Sequence, residues 1–341
     1  AGLIHGKLCL WRAQGTPAAG QLLREYQNFG AGAIIASFST DGARLITADT
    51  DHHVRVWDVA QGQSLHTLAG HNETPWIVRF SSDGQTAASS GAGGIVQIWD
   101  VKTGSLRQTL QGHPTAVQGL ALTGDGVWLA SGHIDGTVSL WRVGDEVAPR
   151  HILSGHSDVA AALVFDGTGT ILASGSHDCT IRLWDVESGA TRAILRTHTR
   201  KIRWLAMSAD GYTLASGGHD NFVCLWDVRE PAPSHDHLLH TLLGHDYSLY
   251  HLAFRADGRT LATVGIDQTI YLWDVASGQR QDRLQVYRSE VHMMDFSPDG
   301  RWLASGGDDS IVHLWDVAAA LSRTEPSADQ VRQSFYGHTR S

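Results

Sequence analysis

The 341-residue sequence has few cysteines and no long apolar run, and each shortage excludes a class of protein. Its three cysteines, Cys9, Cys179 and Cys224, are odd in number and form no CxxC pair, so we expect neither a disulfide framework nor a zinc site. No segment approaches the roughly 20 apolar residues that a membrane-spanning helix needs. These absences favour a reducing compartment, and we expect a cytoplasmic location.

Positive charge is also scarce. The chain has 26 lysines and arginines against 35 acidic residues, which gives a formal net charge of −9. A nucleic-acid surface needs clustered lysines and arginines to neutralise phosphates, and the sequence contains no such cluster. We therefore expect neither a nucleic-acid partner nor a membrane partner. A hydrophobic content of 42% nevertheless indicates a folded chain with a sizeable core.

Tryptophan, by contrast, is abundant and regularly spaced. Eight of the 12 tryptophans recur about every 42 residues, and six of the eight are followed by aspartate. A Gly-His pair precedes most of them, as at Gly70-His71, and the histidine position lies 28 residues before the tryptophan in each repeat. Length variation is therefore confined to the connection between each tryptophan and the next histidine. The eight tryptophans are at positions 11, 57, 99, 141, 184, 226, 273 and 315.

Each repeat reads as four short strands. After the histidine comes an alternating segment such as Val78-Arg79-Phe80, then an Asp-Gly pair such as Asp83-Gly84, then a second apolar strand. Asp-Gly between alternating apolar runs predicts a hairpin turn. A third strand ends on the tryptophan and a fourth follows it. Because such a sheet cannot bury both faces alone, the units are expected to stack face to face around an axis.

These repeats closely resemble the WD40 family of β-propellers, whose signature is GH and WD at a period near 40 residues. The resemblance covers nearly the whole chain. It implies an all-β fold, a seven-bladed propeller of four-stranded antiparallel blades, with partial repeats at both ends. Eight blades are the alternative, because only 14 further residues would bring the pattern back into register with Ala1.

The resemblance also suggests how the chain is divided. We expect residues 1–12 to be the remnant of a preceding repeat, 13–20 a linker, 21–317 the propeller, 318–330 a second linker and 331–341 the start of a following repeat. In the family an N-terminal outer strand completes the last blade, so strand 21–28 is expected to pair with the blade containing 291–315. The sequence then reads as a window from a longer tandem array.

The family further implies a hydrogen-bonded relay of Asp, His, Ser or Thr, and Trp in each blade. Phe29, Gly93 and Tyr287 replace one member in three repeats. Because the same placement recurs in several blades, we interpret these residues as structural. The four complete sets are His113, Ser131, Asp135 and Trp141; His156, Ser174, Asp178 and Trp184; His198, Ser216, Asp220 and Trp226; and His245, Thr263, Asp267 and Trp273.

Three other positions of each repeat vary from blade to blade. They are the third and fifth residues after the histidine and the residue before the turn aspartate, which in the family lie on the rim of the central channel and contact partners. An alternative for one of them, Trp76, is that it covers neighbouring core. The candidate partner-binding residues are Trp76, His177, Lys201, Arg203, His219, Tyr250, Glu290, His292 and Asp308.

No nucleotide-binding loop or nucleophile elbow is present, so we expect no catalytic residues, no cofactor and no metal. His235-Asp236-His237 with His240 has spacing that could bind a metal, but its proline-containing insertion indicates a solvated loop. We interpret the protein as a non-catalytic protein-protein interaction scaffold or sensor module within a larger signalling or regulatory protein. It would bind a protein or peptide, with any fused effector domain outside this sequence. The alternative is a propeller enzyme or small-molecule binder that uses the channel.

Overall fold

The computed structural model describes residues 8–11, 22–26, 33–39, 41–111, 115–145, 148–229, 237–284, 290–309, 311–322 and 331–336. These residues form thirty β-strands and one short helix. No helix in this part of the chain is long and apolar enough to cross a membrane. The predicted all-β class is confirmed.

Seven antiparallel four-stranded sheets form the blades of a propeller, as predicted. In each blade the strands run in chain order from the inner strand to the outer strand. Before the first blade lie β1 (Leu8–Trp11) and β2 (Leu22–Tyr26). The blades are blade 1, β3 (Ala33–Phe38), β4 (Arg44–Asp49), β5 (His53–Asp58) and β6 (Ser64–Ala69); blade 2, β7 (Pro75–Phe80), β8 (Thr86–Gly91), β9 (Ile95–Asp100) and β10 (Ser105–Gln111); blade 3, β11 (Val117–Leu122), β12 (Trp128–His133), β13 (Val138–Arg142) and β14 (His151–Leu153); blade 4, β15 (Ala160–Phe165), β16 (Ile171–Ser176), β17 (Ile181–Asp185) and β18 (Thr191–Leu195); blade 5, β19 (Ile202–Met207), β20 (Thr213–Gly218), β21 (Phe222–Asp227) and β22 (Leu238–Leu243); blade 6, β23 (Leu249–Phe254), β24 (Thr260–Gly265), β25 (Ile270–Asp274) and β26 (Arg280–Leu284); and blade 7, β27 (Val291–Phe296), β28 (Trp302–Gly307), β29 (Ile311–Asp316) and β30 (Val331–Tyr336), with helix α1 (Val317–Leu321) between the last two strands.

Apolar side chains pack between consecutive blades. Between blades 4 and 5, for example, Ile181 and Leu183 lie in one buried cluster with Trp226 and Leu214. The repeated tryptophan of the third strand is almost fully buried in every complete blade. Burial of one such side chain contributes about 2 to 3 kcal/mol, so stacking of blades supplies the core that a single sheet lacks.

The Asp-Gly pairs form hairpin turns, as the sequence predicts. In blade 2 the Asp83 Oδ1 atom accepts hydrogen bonds from the Ser81 hydroxyl at 2.5 Å and from the Gln85 amide at 2.9 Å. Gly84 has φ +65°, a conformation that favours glycine because a side chain would be strained there. The aspartate therefore supplies acceptors for the turn and the glycine supplies its backbone shape.

The aspartate after each tryptophan has a role that the sequence analysis did not assign. In blade 4 the Asp185 carboxylate accepts hydrogen bonds from the Ser188 amide at 2.9 Å and the Ser188 hydroxyl at 2.7 Å, and it contacts Arg192. The hydroxyl of Ser188 and the guanidinium of Arg192 lower the pKa of Asp185 to about 2. In blade 7 the equivalent Asp316 accepts from the Ala319 amide at 3.1 Å and caps α1. This aspartate thus closes the turn after the third strand.

The expected closure of the last blade is wrong. Strand β2 pairs with β1, and the fourth strand of blade 7 is β30, which pairs antiparallel with β29. The β1–β2 pair shifts register before Trp11, as β29–β30 does before Trp315. Pairing of each outer strand with the strand just before it closes only a short loop, which costs less entropy than closure across the whole chain. Of the two expected linkers, 318–330 begins within α1, and 13–20 lies outside the described residues.

Candidate partner-binding rim

One end of the propeller carries both the relay and the variable rim positions. Because neighbouring strands are antiparallel, the loop before each inner strand and the turn between the second and third strands lie at the same end of the blade. Backbone hydrogen bonds join the two segments. These bonds run from His177 N to Val159 O at 2.9 Å, from His219 N to Lys201 O at 2.9 Å and from Asp308 N to Glu290 O at 3.0 Å.

In blade 5 the relay runs from the core to this end. The Trp226 indole N–H donates to the Ser216 hydroxyl oxygen at 2.8 Å. That hydroxyl donates to Nε2 of His198 at 2.7 Å, and Nδ1 of His198 donates to Asp220 Oδ2 at 2.8 Å. Asp220 Oδ2 also accepts from the Thr199 amide at 2.9 Å. Because the donors of this chain of hydrogen bonds all point from Trp226 towards Asp220, the proton of a neutral His198 is assigned to Nδ1.

Blades 4 and 6 have the same relay. His156, His198 and His245 are each 7% exposed, so each imidazole needs internal hydrogen-bond partners. Burial lowers the pKa of His156, and the Asp178 carboxylate opposes that shift. The distances are His156 to Asp178 3.0 Å, His156 to Ser174 2.8 Å and Trp184 to Ser174 2.8 Å in blade 4, and His245 to Asp267 2.8 Å, His245 to Thr263 2.9 Å and Trp273 to Thr263 2.8 Å in blade 6.

Blade 3 departs from the expected relay. The Ser131 hydroxyl contacts Nε2 of His133 at 2.9 Å, and the buried Trp141 indole N–H has no hydrogen-bond partner among the described residues. His133 stands where most blades have glycine or serine, so its imidazole competes for the Ser131 hydroxyl. The expected link from Trp141 to Ser131 is therefore wrong, and the expected histidine of this set, His113, lies outside the described residues. Asp135 is the turn aspartate of this blade.

Blade 2 keeps the histidine but lacks the carboxylate. Nε2 of His71 contacts the Ser89 hydroxyl at 2.7 Å, and the Trp99 indole N–H donates to the same hydroxyl at 2.8 Å. Gly93 occupies the aspartate position. Burial, with a smaller contribution from His52, lowers the pKa of His71 to about 4. Blades 1 and 7 keep only the hydroxyl-to-indole bond in the described residues, and Phe29 and Tyr287 lie outside them.

Four candidate residues form a basic rim patch on blades 4 and 5, namely His177, Lys201, Arg203 and His219. Lys201, Arg203 and His219 are exposed, and His177 is half-buried. Neither Lys201 nor Arg203 forms an ion pair with any other residue that the structure describes. Burial lowers the pKa of His177 and of His219, and the charges of Lys201 and Arg203 lower both further. The positive charge of this patch thus comes from Lys201 and Arg203, and no described carboxylate forms an ion pair with either of them.

Four others form an acidic rim patch on blades 6 and 7, namely Tyr250, Glu290, His292 and Asp308. The Tyr250 hydroxyl donates to Glu290 Oε2 at 2.6 Å, and this bond raises the pKa of Tyr250 to about 12. Nε2 of His292 lies 2.6 Å from Asp308 Oδ1. The Tyr250 and His292 rings meet edge to face with centroids 5.0 Å apart. Glu290 is therefore held across the junction of the two blades, and Asp308 is held by a histidine of its own blade.

Potential metal ligands come together in the acidic rim patch. One ligand atom each of Glu290, His292 and Asp308 lies within 4.8 Å of the others, the one such group among the described residues. The two described histidines of the blade 5 insertion, His237 and His240, belong to no such group. His237 Nδ1 lies 2.7 Å from the Asp227 carbonyl, and His240 Nε2 lies 3.0 Å from the Ala276 carbonyl. His235 and Asp236 lie outside the described residues.

Trp76 differs from the other rim candidates. Its indole N–H donates to the carbonyl of Val117 in blade 3 at 2.9 Å, and its ring packs on the apolar cluster between blades 2 and 3. The ring is half-buried. Covering neighbouring core, the alternative for this residue, accounts for these contacts, and the exposed part of the ring remains a candidate contact.

A repeated hydrogen bond between blades was not predicted from the sequence. At the opposite end, His151 Nε2 on the outer strand of blade 3 donates to the Glu187 carbonyl of blade 4 at 2.9 Å. Gly189 lies against the His151 ring, where a Cβ atom would approach within 2.7 Å. A histidine followed by glycine 38 residues later is the signal that could have revealed it. Equivalent bonds join His66 to Lys102 at 3.2 Å, Gln108 to Asp145 at 2.9 Å and His240 to Ala276 at 3.0 Å.

Comparison with known proteins agrees with this architecture. The crystal structure of the computationally designed Ika8 protein superposes with a TM-score of 0.80 and 27% sequence identity, over 92% of this chain and 91% of that chain. Comparison with curated protein sequences gives no match. The family described as WD domain, G-beta repeat matches seven times, at residues 27–58, 62–100, 104–142, 148–185, 189–227, 236–274 and 278–316. Because these matches cover most of its length, the chain belongs to the WD40-repeat family.

Proposed function

We propose that the protein is a non-catalytic scaffold or sensor module that binds a protein or peptide on the rim carrying the basic and acidic patches. Propellers of this family generally mediate protein-protein interaction. We further propose that the module serves a larger signalling or regulatory protein in the cytoplasm. Its partner contacts would come from Lys201, Arg203, His219, Tyr250 and His292, with further contacts from His177 and from Trp76 on blade 2.

The observation that carries the proposal is the difference between equivalent positions of the rim. The residue before the turn aspartate is His177 in blade 4, His219 in blade 5 and Ile266 in blade 6, whereas the aspartate itself is the same in all three. Exposed and half-buried side chains that change from blade to blade on a rigid scaffold are suited to the recognition of one asymmetric partner. An arginine and a tyrosine, residue types that dominate binding energies at interfaces, are among them.

The test is retention of peptides on the immobilised protein. A library of random 12-residue peptides is selected on the wild-type protein, and the enriched pool is then bound to two double variants. We expect Lys201→Ala with Arg203→Ala to reduce retention about tenfold, because both side chains lie on the proposed contact surface. The matched control, Lys102→Ala with Arg283→Ala, removes the same charge from exposed positions outside the rim and should retain the pool. Equal retention by both variants would contradict the assignment of the rim.

A further inference from the structure

The two charged patches occupy different parts of the rim. The basic rim patch belongs to blades 4 and 5, and the acidic rim patch begins at Tyr250 of blade 6 and continues on blade 7. Between them, at the junction of blades 5 and 6, lies a cavity of about 290 Å³. Its lining includes Arg200, His219, Tyr247, Ser248 and Ile266. A bound chain could therefore pass from one patch to the other over a concave surface.

The basic rim patch is suited to carboxylates. Arg200, which lines the cavity, is exposed like Lys201 and Arg203. Several cations held close together repel one another, and a carboxylate placed among them removes that repulsion. The relay carboxylate Asp220, which also lines the cavity, is already hydrogen bonded to His198 and the Thr199 amide.

The acidic rim patch is suited to a cationic side chain. Hydrogen bonds to Tyr250 and His292 already restrain Glu290 and Asp308, so these two carboxylates lose less side-chain entropy when a lysine or arginine binds there. The Asp308 side chain is 58% exposed and the His292 side chain 42% exposed, so an incoming group has access to this pair. The exposed Tyr247, at 60%, stands beside the path between the patches.

The separation of the patches sets the spacing of the charges that they would recognise. Packed sheets lie roughly 10 Å apart, so the inner strands of blades 5 and 7 are separated by at most roughly 20 Å. An extended chain advances about 3.3 Å per residue. Acidic and basic residues of one extended segment would therefore be at most about six positions apart.

We propose that the rim binds an extended peptide segment with acidic residues at one end and a lysine or arginine up to about six positions away. This inference rests on the proposed function, because it assumes that the rim is the binding surface. The acidic residues lie against Lys201 and Arg203, and the basic residue lies against Glu290 and Asp308. A side chain between them enters the cavity beside Tyr247.

The sequences of the peptides enriched on the wild-type protein test this pattern. Selection is done in EDTA at low ionic strength, so that no cation neutralises the acidic rim patch and the charges are weakly screened. We expect enrichment of peptides with segregated opposite charges at the stated spacing. Enriched peptides that depend on Lys201 and Arg203 but show no such pattern would overturn the inference and leave the proposed function standing. A pool retained equally by the rim variant would overturn both.

Reversing the charge of Lys201 and Arg203 gives a second test. A purely structural role of these residues would not change which of two charged probes binds more tightly. Two synthetic eight-residue probes are compared by fluorescence anisotropy, one with two glutamates, four neutral residues and two lysines, and one with the first pair changed to lysine. We expect the wild-type protein to bind the segregated probe about tenfold more tightly than the all-basic probe. The variant with Lys201→Glu and Arg203→Glu should reverse this preference. An unchanged preference in that variant would overturn the proposal.

Discussion

The relay and the rim are neighbours along the chain and behave in opposite ways. In blade 5 the rim residue His219 directly precedes the relay residue Asp220, yet His219 is exposed and Asp220 is hydrogen bonded to the buried His198. In blade 6 the corresponding rim residue is Ile266 and the relay residue is again an aspartate, Asp267. One position is held constant by a buried partner, and the adjacent position is free to differ in each blade.

The difference between the relay and the rim shows how a repeated unit acquires a specific surface. A buried imidazole without partners would be costly, which is why the aspartate and the hydroxyl accompany the histidine in blades 4, 5 and 6. No such penalty applies to an exposed side chain one residue away. The family pattern is therefore strongest where it carries least information about the partner.

The largest difference in stability is expected between two single alanine variants at adjacent positions of blade 5. Asp220→Ala removes the acceptor of His198 Nδ1 and of the Thr199 amide, and should lower the free energy of unfolding by about 2 to 3 kcal/mol. His219→Ala, at an exposed position, should change it by less than about 0.5 kcal/mol. Denaturant unfolding of both variants measures the difference. Equal midpoints would show that the relay is no more important to stability than the rim.

An intermediate effect is expected from completing the relay of blade 2. The pKa of His71 is about 4, below its ordinary value of 6.5, so the unfolded chain binds more protons between these values and stability falls as pH decreases from 6.5 to 4. That loss reaches about 3 kcal/mol for this group. Gly93→Asp should raise the pKa of His71 and recover about 1 to 2 kcal/mol at pH 5.

The site has room for this substitution. The nearest atoms to a Cβ at Gly93 belong to the Glu73 carboxylate, at 3.7 Å. Unfolding at pH 7 and pH 5, together with an NMR titration of His71, measures the effect. Gly93→Asn is the neutral control and should leave the pKa of His71 low. If the aspartate variant titrates like the asparagine variant, the carboxylate does not govern this histidine.

The smallest effect is expected at the bond between blades 3 and 4. His151→Ala removes the hydrogen bond to the Glu187 carbonyl and the packing on Gly189, and should cost about 1 kcal/mol of stability. Ile152→Ala changes the adjacent side chain, which is 55% exposed, and should cost less. Thermal unfolding of the two variants separates them. A larger loss for Ile152→Ala would indicate that the outer strand is stabilised by packing rather than by this bond.

Repeat spacing alone predicted most of the architecture. The distance of 28 residues between His and Trp corresponds to three strands of one blade, and the Asp-Gly pairs form the turns between first and second strands. The repeat spacing could not predict where single blades differ from the family pattern. His133 diverts the Ser131 hydroxyl in blade 3, and Trp76 donates to a carbonyl of the next blade. Both depend on atoms that approach one another only after folding.

Strand pairing near the two ends of the propeller also could not be predicted from the repeat pattern alone. The pattern placed an outer strand at 21–28, but pairing of β2 with β1 and of β30 with β29 depended on which strands folding brought together. The sequence by itself determined the repeated, local features, because turn geometry, strand alternation and buried hydrogen bonds act over short distances. Only the tertiary structure decided the strand partners at the ends, the bonds between blades and the separation of charge on the rim. Those features arise between residues 11 to 41 positions apart, where contact depends on which strands pair and how the blades stack.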